Sequence, residues 1–124
     1  VYAVTGQGAY LYDPEGNSLK AVAKGDLRRL TGTQEYVGTA PLNLVYVADT
    51  TKMKGVPAEN LPLYAGAAAG LITQNVYLFC ASEGLATVVR ASIDRDALGQ
   101  ALNLPMNARI IFSQSVGYPG DGAR

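Results

Sequence analysis

Residues 61–85, LPLYAGAAAGLITQNVYLFCASEGL, decide the fold of this chain. Within this stretch, residues 61–82 carry no charged side chain. Gly84 lies near the end of the stretch, and glycine commonly ends helices because it adopts a left-handed conformation without strain. The stretch predicts one long helix that is apolar, and therefore buried, nearly all round. Gly66 and Gly70 lie four residues apart on one face, where they would let another helix approach closely. In so small a domain, we expect this helix to be buried between two subunits.

A membrane span is the other interpretation of such a stretch. A bilayer core needs about 20 continuous apolar residues, and here glycines and polar residues interrupt the run. The interrupting residues are Gly66, Gly70, Thr73, Gln74 and Asn75. No signal peptide is visible, so the sequence favours a cytoplasmic location without establishing the compartment. We therefore expect no membrane contact.

The length and composition of the chain predict one globular domain, and its zero net charge gives no sign of a highly charged partner such as a nucleic acid. The chain has 124 residues, of which 48% are hydrophobic, and a chain of this size buries roughly two-thirds of its unfolded surface. Residues 1–124 are therefore treated as a single domain. Ten basic and ten acidic residues leave no net charge, so we expect no nucleic-acid partner. The single cysteine, Cys80, excludes an intramolecular disulfide and is expected to be buried.

The absence of histidine limits the chemistry that this chain can perform with its own side chains. Without an imidazole there is no Ser-His-Asp triad, and the usual general base and a common metal ligand are missing. We therefore predict no metal site and no catalytic side chain, and we expect a bound cofactor to carry the chemistry.

Short strand-like runs flank the long helix. Turns rich in glycine, proline and asparagine separate the first three runs, which predicts a small meander. The run LNLVYVAD is the strongest strand signal, and because it is apolar nearly throughout we expect it at the centre of the sheet, covered on both faces. Asp26 and Asp94 are placed to cap two short helices. The predicted strands span residues 1–5, 9–13, 18–24, 42–49, 85–89 and 108–119.

Residues 84–92, GLATVVRAS, combine an apolar strand with a cation. The run up to Val89 is expected to enter the middle of the sheet, yet Arg90 follows it directly. One explanation is structural: the stem of Arg90 packs on the sheet while its head reaches an acid such as Asp94 or Glu83. A functional explanation is equally open at this point.

Several motifs in a fixed order resemble a known family. A long helix reading AGxxxGxxxQN-xYLxxxxxGL, a strand, a short Asp-capped helix ending in ALxLP and a strand ending in VGYP resemble the C-terminal part of the FMN-dependent nitroreductase superfamily. The hairpin YLYDPEGNSLKAV is similar to that of its SagB-type (thiazole/oxazole dehydrogenase-like) branch. The matching residues are Ala65, Gly66, Gly70, Gln74, Asn75, Tyr77, Leu78, Gly84, Leu85, Leu102, Pro105, Val116, Gly117, Tyr118 and Pro119.

The resemblance implies an α+β nitroreductase-like fold, with a mixed or antiparallel sheet and the long helix at a homodimer interface that also holds FMN. Gln74 and Asn75 either order that interface or the flavin pocket, or are buried amides bonded to the backbone. Family members open with a helix carrying an RRSxRxF-like motif that binds the flavin phosphate and ribityl chain, and these 124 residues contain none. We therefore expect that the chain is N-terminally incomplete and binds FMN weakly by itself.

The resemblance also implies which residues contact the cofactor. Carried over by position, the backbone amides of Arg90, Ala91 and Ser92 hydrogen-bond near flavin N5 and O4, and Val89 packs on the ring face. Small residues at 91 and 92 permit close approach, and donors in a dry site stabilise the negative charge of a ring that accepts a hydride. Family members often place a basic residue after VGYP for the phosphate, and here that residue is Arg124.

The implied function is an FMN-dependent oxidoreductase that works in two half-reactions. NAD(P)H delivers a hydride to the flavin, and a small organic acceptor later takes the electrons. Two alternatives stay open: a SagB-like dehydrogenation of peptide azolines, and a cofactor-free dimerisation or interaction module derived from the family.

Overall fold

Six strands form a single antiparallel sheet in the computed structural model, which describes residues 1–120. The strand order is β3-β2-β1-β4-β6-β5, and every neighbouring pair is antiparallel. The strands are β1 (Tyr2–Val4), β2 (Gly8–Asp13), β3 (Ser18–Lys24), β4 (Leu42–Asp49), β5 (Ala86–Arg90) and β6 (Ala108–Gly117). The helices are α1 (Leu61–Glu83) and α2 (Arg95–Ala101). Single 3₁₀ turns occupy Arg28–Thr31, Glu35–Gly38, Thr50–Lys52 and Ala58–Asn60.

The predicted central position of β4 is confirmed. β4 pairs with β1 on one side and with β6 on the other. Val45 is fully buried in a cluster with Leu98 of α2 and with Leu102, which directly follows α2, so α2 covers one face. Its neighbour Tyr46 points to the opposite face, where it bonds Gln114 beneath α1. The alternation of side chains along a strand therefore gives β4 a cover on both sides.

The long helix α1 has the predicted bounds, but it is not buried all round. Gly84 ends it with a φ of 69°, and its amide donates to the Cys80 carbonyl. Only one narrow stripe is buried against the sheet, because a helix can present one face to a flat layer. The buried residues are Ala65, Ala69, Thr73 and Cys80. Large apolar side chains on the other faces are exposed in the single chain, namely Leu63, Tyr64, Leu71, Ile72, Leu78 and Phe79.

A Cβ atom built on Gly66 or Gly70 would meet open space, which leaves the side of α1 that carries them uncovered. Within residues 1–120, no helix is both long and apolar enough to cross a membrane. The exposed faces of α1 carry large apolar side chains that the single chain leaves uncovered.

The prediction that residues 85–89 enter the middle of the sheet was wrong. β5 pairs only with β6 and lies at the edge of the sheet. An apolar run can occupy an edge when other elements cover it, and here α1 packs against β5. The free edge of β5 leaves backbone groups that no neighbouring strand uses.

The two predicted helix caps have different outcomes. The Asp94 carboxylate accepts a hydrogen bond from the Ala97 amide at 3.1 Å, which confirms the cap of α2. Asp26 instead accepts from the Arg28 amide and pairs with the Arg28 guanidinium at 2.7 Å. The segment that follows forms a single 3₁₀ turn rather than an α-helix, because Gly32 ends it after four residues.

Candidate functional site

The Arg90 side chain is buried at the end of β5 in a network of neutral acceptors. Only 4% of Arg90 is exposed. Its Nη1 donates to the carbonyl of Thr31 at 2.6 Å, and its Nη2 lies within hydrogen-bond distance of Asn43 Oδ1, Ser113 Oγ and Ser115 Oγ at 2.9, 2.9 and 3.0 Å. The guanidinium thus joins β5 to β4, β6 and the 3₁₀ turn that ends at Thr31.

The structural explanation of Arg90, a head that reaches Asp94 or Glu83, was wrong. Among residues 1–120 no carboxylate forms an ion pair with this guanidinium, and all four acceptors are uncharged. Strand geometry explains the error, since Arg90 points into the face of the sheet that the segment after β3 covers. Burial lowers the pKa of Arg90, but an arginine remains charged in a protein. A cation is therefore buried here without a counter-charge among the described residues.

The segment at 31–36 encloses the Arg90 head. A Cβ atom built on Gly32 would overlap Arg90 Nη1, so this position accepts only glycine without rearrangement. The ring centroid of Tyr36 lies 6.0 Å from Arg90 Cζ, at the outer limit of a cation–π contact. Arg90 Nε and Gln34 Oε1 are both buried and have no hydrogen-bond partner within residues 1–120.

Ala91 and Ser92 lie beyond the last paired residue of β5, and both are exposed. The Ser92 carbonyl accepts from the Thr33 amide at 3.2 Å, and the two hydroxyl groups lie 2.8 Å apart. These contacts tie the strand end to the segment after β3. With these contacts in place, Ala91 and Ser92 stay exposed, and a ligand can approach their backbone.

Val89 is half-buried, and its amide donates to the Tyr77 hydroxyl of α1 at 2.9 Å. This amide therefore points away from β6. Because alternate residues of a strand direct their amides to the same side, continued extended backbone would carry the Ala91 amide to that side as well. The strand end thus combines the open side of an edge strand, small side chains and a buried cation.

These features fit the electron-accepting end of a flavin ring, which needs hydrogen-bond donors and a positive potential where negative charge develops. The predicted donors are the backbone amides at Ala91 and Ser92, and the buried Arg90 guanidinium would supply the positive charge. Arg124, the predicted phosphate contact, lies outside the described residues. Within residues 1–120, no group of three or more acidic, cysteine or histidine side chains could hold a metal ion.

Sequence reasoning missed the partners of Arg90. Asn43, Ser113 and Ser115 are fully or almost fully buried polar residues of β4 and β6. Polar residues within a buried strand are the signal that could have identified them, since each must find a hydrogen-bond partner. Their spacing in the chain gave no indication that one arginine would serve all three.

The amides Gln74 and Asn75 do not form buried backbone contacts within the single chain. Both are exposed on α1, as is Tyr64. The reason is again that α1 presents only one stripe to the sheet. Their position on an uncovered face leaves the alternative role at an interface as a prediction.

A second buried polar pair lies between the sheet and α1. The Tyr46 hydroxyl donates to Gln114 Oε1, and Gln114 Nε2 lies 3.4 Å from the Thr73 carbonyl. Burial raises the pKa of Tyr46 to about 12. The pair fixes the stacking of α1 on the sheet on the face opposite to the Arg90 head.

The chain also has a cleft away from the predicted site. It has a volume of about 1100 Å³ and lies between the first turns of α1, the helix α2 and the beginning of β6. None of the residues from Val89 to Ser92 lines it. The candidate site is therefore an open strand end and not this cleft.

Comparison with known proteins supports the fold and gives the family. The model of the nitroreductase family matches residues 7–118. A candidate nitroreductase from Ralstonia eutropha JMP134 is 39% identical, with a TM-score of 0.87 over 94% of this chain and 56% of the other. An NADPH:FMN oxidoreductase from Vibrio harveyi, solved in complex with NAD⁺, is 28% identical, with a TM-score of 0.64 over 75% of this chain and 44% of the other.

A more distant likeness concerns the fold alone. The Escherichia coli microcin synthetase McbBCD complex, solved with truncated pro-MccB17 bound, contains a chain that is 22% identical, with a TM-score of 0.84 over 97% of this chain and 51% of the other. The chain spans about half the length of the solved structures described here. No significant match was found among curated proteins. Because the family model covers most of the chain and the six-stranded sheet with its long helix agrees with it, the chain belongs to the nitroreductase family.

Proposed function

We propose that the protein is a flavin-dependent oxidoreductase that binds FMN, takes a hydride from NAD(P)H and passes the electrons to a small organic acceptor. The observation that carries this proposal is the end of β5, where two small exposed residues on an edge strand adjoin a buried cation. Membership of the nitroreductase family supports it, as does the likeness to an NADPH:FMN oxidoreductase. Within the family, the β2–β3 hairpin supports assignment to the SagB-type branch.

Each predicted site residue has a role in this proposal. The bound FMN supplies the hydride chemistry, and the protein holds and polarises the ring. Backbone amides at the end of β5 donate to the electron-accepting side of the ring, and Val89 packs against its face. Arg124 would contact the phosphate. No side chain of the chain is required as a general acid or base, which agrees with the absence of histidine.

We further propose that the working form is a homodimer that covers the exposed faces of α1. Leu63 and Leu71 are 69% and 70% exposed in the single chain, and Phe79 is 60% exposed. Contiguous apolar surface of this kind is uncommon on monomers and marks contact sites. A cytoplasmic location stays a prediction.

The decisive experiment is a titration of FMN against the full-length gene product, with flavin fluorescence and the visible absorbance band as signals. Replacing Ala91 by proline removes an amide donor and should weaken FMN binding by about 1–3 kcal/mol, roughly 5- to 150-fold. The matched control is Ser92→Ala, which removes only an exposed hydroxyl contact to Thr33 and should retain most of the affinity. Far-ultraviolet circular dichroism of both variants checks that the fold is kept.

Two results would contradict the proposal in different ways. Equal FMN affinity of the wild type and Ala91→Pro would remove this strand end from the site. If the full-length gene product bound no flavin at all, the cofactor-free interaction module would become the better explanation.

The Arg124 contact has its own test, which compares FMN with riboflavin, the analogue without a phosphate. Arg124→Ala should weaken FMN binding several-fold and leave riboflavin binding unchanged, because only the phosphate would lose a charge-assisted hydrogen bond. An equal loss for both ligands would argue against a phosphate contact at this residue.

A further inference from the structure

We propose that the Arg90 side chain is an electrostatic positioning residue, whose fixed positive charge beneath the end of β5 favours the reduced, negatively charged state of the flavin bound there. This inference rests on the proposed function, which places the flavin at the strand end. The proposed flavin contacts come from the backbone at Ala91 and Ser92, and the inference adds a role for the Arg90 side chain.

The charge is the first part of the argument. Buried arginines are normally paired with a carboxylate, because an unpaired ion loses its hydration without compensation. Arg90 is 4% exposed, and within residues 1–120 its partners are one carbonyl, one amide oxygen and two hydroxyl groups. These dipoles hold the guanidinium but do not neutralise it. Within residues 1–120, the guanidinium is therefore a buried positive charge without an ion-pair partner.

The fixed position of the charge is the second part. Contacts from β4, β6 and the turn at Thr31 hold the guanidinium, and Gly32 closes directly over Nη1. Asn43 is itself held, since its Nδ2 donates to the Val37 carbonyl at 2.9 Å. Contacts from three elements therefore hold the guanidinium in one position. A charge that does not reorganise gives its full stabilisation to any anion that forms beside it.

The proximity of the charge to the ligand side is the third part. Arg90 directly precedes the two exposed residues, and the paired contacts of Thr33 with Ser92 bring the segment around the guanidinium against that same strand end. A flavin that accepts a hydride gains negative charge, and a nearby positive charge in a dry site stabilises that form more than the neutral oxidised form. Arg90 should therefore make the protein bind reduced flavin more tightly, relative to oxidised flavin, than it would without this charge.

The test measures the two-electron midpoint potential of the bound flavin under anaerobic conditions against a reference dye. Arg90→Met removes the charge and keeps a side chain of similar length. It should weaken the binding of reduced flavin relative to that of oxidised flavin by about tenfold, which lowers the midpoint potential by about 30 mV for a two-electron couple. Ser113→Ala is the control, because it removes one acceptor and keeps the charge. It should leave the potential close to that of the wild type.

A second variant keeps the test informative if Arg90→Met does not fold. Gln34 Oε1 borders the same space beside Gly32 as the guanidinium, and it has no partner among the described residues. Gln34→Glu adds a carboxylate there with almost no change in shape. It should lower the potential in the same direction as Arg90→Met, because it neutralises the charge without removing it.

The outcomes separate this inference from the proposed function. A lower potential in Gln34→Glu, and in Arg90→Met where it folds, with an unchanged value in Ser113→Ala, supports the inference. Flavin binding with an unchanged potential in the charge-altering variants would overturn it and would make Arg90 a purely structural residue, while the proposed function would stand. A full-length gene product that binds no flavin would overturn both.

Discussion

Replacement of Gly32 by alanine is the sharpest test of the Arg90 network. The new Cβ would overlap Arg90 Nη1, and the guanidinium cannot move outward because it is buried and held from three sides. Gly32 itself has an extended backbone, with a φ of −178°, so alanine causes no backbone strain there. The expected damage is therefore confined to the guanidinium contacts.

The size of the effect follows from the contacts that must be lost. The minimum rearrangement breaks the bond from Nη1 to the Thr31 carbonyl, and a hydrogen bond from a charged group contributes about 1.5–3 kcal/mol. Replacing glycine by alanine returns about 0.4–1 kcal/mol by restricting the unfolded chain. We expect Gly32→Ala to lower the free energy of unfolding by about 1–2 kcal/mol.

The assay is urea denaturation followed by circular dichroism, with Gly38→Ala as the matched control. At Gly38 the new Cβ would overlap Arg29 Cδ, but Arg29 is exposed and can move into solvent, so we expect a change within about 0.5 kcal/mol. The double variant Gly32→Ala, Arg90→Met should lose the extra penalty of alanine, because the clashing group is gone. Equal midpoints for the two glycine variants, or an unchanged penalty in the double variant, would refute the reasoning.

The remaining predictions concern α1 and the polar pair beneath it. Gly70→Leu, on the uncovered side of α1, should split or destabilise the homodimer, and an unchanged sedimentation profile would count against that interface. Tyr46→Phe should cost about 1–3 kcal/mol in the free energy of unfolding, because it leaves the buried Gln114 oxygen without a donor. The pKa of Tyr46 is raised from 10.0 to about 12 in the folded state, so this residue's stabilisation is present below pH 10 and is lost as the pH rises towards 12. Urea midpoints between pH 9 and 12 should therefore fall less steeply for Tyr46→Phe than for the wild type, and parallel curves would contradict the assignment.

The sequence alone determined where most of the elements lie. Gly84 ends α1, Asp94 caps α2, and the apolar run at 42–49 forms a strand, because each of these signals acts within a few residues of the backbone that it shapes. The same local order of motifs was sufficient to indicate the family. The central position of β4 also followed from sequence, since a strand that is apolar on both sides needs cover on both faces.

Only the tertiary structure decided the position of β5 and the surroundings of Arg90. Strand order depends on pairing between segments that are far apart in the chain, and the apolar composition of β5 is compatible with either an edge or a centre. The acceptors of Arg90 come from Thr31, Asn43, Ser113 and Ser115, which are separated from it by 23 to 59 positions. The residues next to Arg90 in the sequence do not indicate which hydrogen-bond acceptors from distant parts of the chain the folded sheet places around its guanidinium. The tertiary structure also decided which faces of α1 are exposed. An apolar helix is covered only where it packs against the sheet, and the sequence of the helix does not specify that face.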